Sequence, residues 1–144
     1  MTKKEEIVAS DIIKRIEDFI ANWKDCPAKD AFFKLKELIL DFKDVEIDFV
    51  ERQGISYSLR AKHKKQTTRK LFVMVDVIDD DPENRWLSIC FYGDMITDPE
   101  EKGDLIPGGL LGEDGYCFDL DDFSEQEVNY IVDRIKEAYF TASK

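Results

Sequence analysis

Histidine is almost absent: His63 is the only one in 144 residues. A histidine-dependent triad would have to draw on the most basic and most mobile stretch of the chain. No motif brings Cys90 or Cys117 to it. Cysteine is also scarce. Cys26, Cys90 and Cys117 are odd in number and far apart, which suits small buried side chains in a reducing cytosol better than a disulfide scaffold. Long apolar runs are missing, since none approaches the ~20 residues of a spanning helix. The opening "MTKKEEIVAS" has basic residues with no apolar core behind them, so no signal peptide is expected. A positive excess is missing as well. The formal charge is -11, which disfavours general attraction to DNA, RNA or anionic lipid. A cytoplasmic protein with no membrane association is the expectation.

No internal repeat, low-complexity run or Pro/Gly/Ser linker divides the chain, so residues 1–144 are expected to form one domain. Ile12, Ile13, Ile16, Phe19, Ile20 and Trp23 recur at helical spacing, and Thr2 with Glu5 has the form of a capping box. Pro27 suits the first turn of a second helix, which carries Phe32, Leu35, Leu38 and Ile39. From Asp44 the period drops to 2. "VEIDFV", "ISYSLRA", "LFVMVDVI" and "RWLSICFY" read as four strands, with Gly54 available for a turn and "DDDPEN" as another. "YCFDL" is a short candidate fifth strand. Ser124 and Glu127 cap a closing helix whose stripe is Val128, Ile131, Val132, Ile135, Ala138 and Tyr139. The expected class is α+β: two N-terminal helices, a four- to five-stranded antiparallel meander, and a C-terminal helix packed on the sheet.

Charge is distributed unevenly. Residues 1–70 hold 16 Lys/Arg against 13 Asp/Glu, and residues 71–144 hold 5 against 19. Six of the basic residues, Arg60, Lys62, Lys64, Lys65, Arg69 and Lys70, crowd between strands two and three with no acid among them. They could neutralise phosphates from a hairpin tip. However, the stretch has no aromatic on which a base would stack, and a solvated, aggregation-resistant tip explains it equally.

The acidic turn after Ile78 fails as a calcium loop. Counted from Asp79, Asn84 replaces the glycine of the sixth position and Cys90 stands where the bidentate Glu belongs. "GDLIPGGLLGEDG" lacks the Lys-Ser/Thr of a phosphate loop and the order of a dinucleotide fingerprint. No cofactor or metal site is expected. That loop does carry Leu105, Ile106, Leu110 and Leu111 among flexible glycines. Three destinations are open to them: folding over the sheet edge, an oligomer contact, or the lining of a ligand groove.

Residues 76–120, "DVIDDDPENRWLSICFYGDMITDPEEKGDLIPGGLLGEDGYCFDL", resemble a family of small uncharacterised bacterial proteins with no assigned activity. "QGISYSLRAKH" upstream is similar to them too. The resemblance implies a bacterial, cytoplasmic protein and transfers no catalytic residue. The leading functional expectation is a non-enzymatic interaction domain that meets a protein partner or a second copy through segment 103–115. Polyanion or nucleic-acid binding through residues 60–70 is the alternative. A carboxylate enzyme would need a pocket where acids converge, such as Asp76 with those of segment 94–104.

Overall fold

A computed structural model describes residues 2–144. The two N-terminal helices are α1 (Lys3–Ala21) and α2 (Pro27–Asp41). The Thr2 hydroxyl accepts from the Glu5 amide, and Pro27 occupies the first turn of α2, as their positions in the sequence suggest. Four strands follow: β1 (Val45–Arg52), β2 (Ser56–His63), β3 (Val73–Ile78) and β4 (Trp86–Phe91). Next come a short 3-10 turn at Gly93–Met95, β5 (Asp104–Leu110), β6 (Glu113–Leu120) and α3 (Glu125–Ala142). Ser124 accepts from the Glu127 amide at the start of α3.

The sheet has six strands rather than four or five, in the order β1-β2-β3-β4-β6-β5, all antiparallel. β1 to β4 form the expected meander. The last hairpin then folds back so that β6 lies against β4 and β5 becomes the outer edge. β5 escapes the period-2 pattern because its register shifts between Ile106 and Leu110, across Pro107, Gly108 and Gly109.

The register sorts the side chains onto two faces. Phe49, Leu59, Val75, Ile89 and Phe118 stand in one cross-strand row and are all buried. This face packs against Ile16, Phe19, Phe32, Leu35, Ile39, Ile131 and Ile135 of the three helices. The opposite face carries no helix.

Two polar knots lock the periphery. The buried Asp79 carboxylate accepts from Arg85 Nε and from the Gly54 amide, each at 2.8 Å. The Arg85 guanidinium also lies 5.2 to 5.5 Å from the ring centres of Phe19, Trp23 and Tyr57. Asp98 anchors the 96–103 segment. It accepts from the hydroxyls of Tyr116 (2.7 Å) and Tyr130, and from the amides of Lys102 (3.0 Å) and Gly103 (2.9 Å). Gly103 has to be glycine there, because a Cβ would stand 2.5 Å from the Tyr116 ring.

Two local expectations change in the structure and one holds. His63 is not in a mobile tip but only 3% exposed. Its Nδ1 accepts from the Lys65 amide, and Gln66 pins the turn by accepting from the His63 amide and donating to the Leu71 carbonyl. Cys90 and Cys117 are not free thiols, because the β4–β6 register sets them opposite each other and they form a disulfide. Only Cys26 is a free cysteine among the described residues. The acidic turn is structural, as expected: Asp81 accepts from the Glu83 amide and the Asn84 side chain, while Asp79 is taken by Arg85 and by Gly54 of the β1–β2 turn. Among the described residues no helix is long and apolar enough to cross a membrane.

Candidate functional site

The helix-free face is built from the alternate positions of the same strands. One row runs Asp48, Arg60, Met74, Cys90, Cys117, Asp104; the next runs Val50, Ser58, Asp76, Ser88, Asp119. A core face would not carry two aspartates, two serines and an arginine in its central strands. A face that keeps polar groups for water or a ligand can, although Ser58, Met74, Cys90 and Cys117 in its middle are buried.

Where β2 leaves this face the surface dips into a groove of about 310 Å³, lined by Glu46, Asp48, Arg60, Lys62, Lys70, Leu71 and Leu111. Arg60 and Lys62 are two residues apart on β2 and therefore project to the same side. Lys70 and Leu71 return after the turn. Leu111 arrives from the β5–β6 hairpin, some 40 residues downstream. The hairpin tip is fastened by Leu110, which is wholly buried, and whose Cβ lies 3.0 Å from where a side chain on Gly115 would begin. Glu113 at the same tip accepts from the Tyr92 hydroxyl at 3.0 Å.

The structure thus divides the basic stretch. Arg60, Lys62 and Lys70 converge on the groove, and among the described residues none of the three forms an ion pair. Lys64 and Lys65 sit exposed on the turn. Arg69 is withdrawn: it is paired with Asp94 and lies 4.3 Å from the Tyr92 ring centre. Its hydrogen bond to Asp94 raises the guanidinium above its ordinary range and holds the Asp94 carboxyl below its own.

The leucine-rich segment divides in the same way. Leu110 is a core residue and is corrected to an anchor, because Gly115 leaves it a seat. Leu105, Ile106 and Leu111 remain 59%, 42% and 37% exposed. Leu111 is the one that meets the basic residues.

No protein-family model, curated protein or solved structure matches the chain. Two larger grooves, of about 410 and 420 Å³, lie at the other end of the sheet around Asn84, Arg85 and Phe123. Arg85, the cation they share, is already satisfied by Asp79.

Asp76 is the feature that sequence reading placed least well. It sits on the helix-free face opposite Ser58 and Ser88. Among the acids of the 94–104 segment, only Asp104 has a register position on this face. Burial pushes the Asp76 carboxyl above the usual carboxylate range, against the opposing pull of Ser58, Arg60 and Arg52. One of its oxygens, Oδ1, is shut off from solvent and has no hydrogen-bond partner. Among the described residues no three His, Cys, Asp or Glu side chains are grouped to hold a metal ion.

Proposed function

We propose that the domain is a non-enzymatic binding module for a small amphipathic organic anion, held in the groove between β2 and the β5–β6 hairpin. The observation that carries this reading is the convergence of Arg60, Lys62 and Lys70, free of ion pairs, with Leu71 and Leu111 in one groove of a strongly acidic protein. The three cations favour a carboxylate or similar group, while the exposed Leu111, backed by the buried Leu71, favours an apolar body. A small anion suits the groove better than a polyanion. Glu46 and Asp48 border it, and a longer polyanion would meet the field of a molecule with a formal charge of -11. The inferred setting is the bacterial cytoplasm, from the resemblance of residues 76–120 alone, because the Cys90–Cys117 disulfide removes the cysteine argument for a reducing compartment.

Titration of isotope-labelled protein with 3-phenylpropanoate, followed by amide NMR shifts, tests the proposal. Shifts should centre on Arg60, Lys62, Lys70 and Leu111, shrink as salt rises, and vanish in Leu111→Asp. Lys62→Ala with Lys70→Ala should weaken binding several-fold. Shifts elsewhere, or none at low salt, would reject it.

A second reading, self-association through residues 103–115 or docking of a protein partner there, is favoured by the exposure of Leu105 and Ile106 on the outer strand. Light scattering of the wild type and of Leu105→Asp over a wide concentration range tests it. A concentration-independent monomer mass would exclude self-association.

A further inference from the structure

We propose that the ligand of this groove carries a hydroxyl or amino group beside its acid, and that Asp76 and Arg60 together select for it. The inference rests on the anion-binding reading and extends it to substrate class. Arg60 and Asp76 are neighbours on the helix-free face, one register step apart along the β2–β3 pair. Each is incomplete. The Arg60 Nε donates to Ser58 Oγ at 3.1 Å, yet the guanidinium has no acid partner. Asp76 Oδ1 has no donor. They also do not satisfy each other, since no ion pair joins them. A buried acceptor left without a donor is destabilising by itself, so its retention on this face, where Ser58, Met74, Cys90 and Cys117 are buried too, calls for a partner from outside the chain. Asp76 does not line the groove itself, so a carboxylate bound there would have to draw the Arg60 side chain off Ser58 to open the approach to it. A hydroxyl or ammonium on the adjoining carbon then supplies the donor that Asp76 lacks. A plain acid would fill the cation half of the site and leave the carboxylate unpaired.

The test compares 3-phenylpropanoate with its 2-hydroxy derivative, by the same NMR titration in wild type and in Asp76→Ala. The hydroxy acid should bind about tenfold more tightly to the wild type, the scale of one hydrogen bond to a charged group. That advantage should disappear in Asp76→Ala. In the unmodified protein the carboxyl carbon resonance of Asp76 should move with the hydroxy acid and stay still with the plain one, which keeps the test independent of how the variant folds. Equal affinities in the wild type, or a preference that survives Asp76→Ala, would overturn this inference while leaving the groove intact. Failure of both acids to bind would overturn the groove reading and this inference with it.

Discussion

Removing the Asp98 carboxylate should unfasten the whole 96–103 segment, and the effect can be sized. Four donors converge on Asp98: the hydroxyls of Tyr116 and Tyr130, and the amides of Lys102 and Gly103. At roughly 1 kcal/mol net for each, Asp98→Ala should cost about 3–4 kcal/mol. For a domain of this length that corresponds to a fall of about 10 °C in melting temperature. A second, sharper signature is the pH dependence. Burial works to raise the Asp98 carboxyl, but the hydrogen bonds outweigh it and bring it down to about 2. A carboxyl depressed on folding adds stability above its unfolded value near 4, and that stability is lost as pH falls through about 2. The full shift would be worth about 2.5 kcal/mol, and partial solvent screening reduces it to about 1–1.5 kcal/mol. Urea unfolding of wild type and Asp98→Asn at pH 6, 4, 3 and 2 is the assay. The gap between them should narrow by about 1 kcal/mol toward pH 2. The same bond pushes the Tyr116 hydroxyl up to about 12, so its phenolate absorbance should appear at lower pH in Asp98→Asn. A gap that does not change with pH, together with an unmoved tyrosine titration, would refute the account.

Two further outcomes follow from the other cross-links. Asp79→Ala strands the Arg85 guanidinium among Phe19, Trp23 and Tyr57 without its partner, and should cost about 3–5 kcal/mol. Asp79→Leu with Arg85→Leu should recover much of that loss, and a single change costing under about 1 kcal/mol in urea unfolding would contradict the argument. The Cys90–Cys117 bond spans 27 residues, so reducing it should lower stability by about 3.5 kcal/mol on loop entropy alone. Melting with and without dithiothreitol measures this, with Cys90→Ala/Cys117→Ala as the insensitive control. Equal melting of oxidised and reduced wild type would count against a structural role for the bond.

What sequence reading captured was whatever a short window of residues determines. Thr2 with Glu5, Pro27, and Ser124 with Glu127 mark three helix starts because capping acts over one turn. β1 and β2 show as alternating segments, and β3 and β4 as short apolar runs bounded by turn residues. β5 was hidden, since Pro107 and two glycines break its alternation and its partner register shifts there. The basic stretch misled through adjacency. Residues next to one another along a strand face opposite ways, so Arg60 and Lys62 share a face only by being two apart. Arg69 is captured by Asp94, 25 residues on, which no local pattern reports. The cysteine pair and the groove have a common cause for their invisibility. Both depend on β6 lying beside β4 with β5 outside it, an order decided by tertiary packing.

The same strand order limits where partners can dock. At one edge the outward Phe49 amide is taken by Asp48 at 2.9 Å and its carbonyl by Arg15 at 2.8 Å, so β1 offers no free pair there. Carried through the register, the alternation that turns Phe49 outward turns Leu105 outward on β5, while Asp104 and Ile106 bond to β6. On either side of Leu105 the edge is closed. The Gly103 amide is held by Asp98, and Pro107 has no amide hydrogen to give. One free backbone pair is too little for an added strand, which needs a ladder. Any self-association through Leu105 and Ile106 must therefore rest on side-chain contact. The helix-free face keeps its unpaired cations and its partnerless carboxylate oxygen, and those are groups that a ligand can satisfy and a second edge strand cannot.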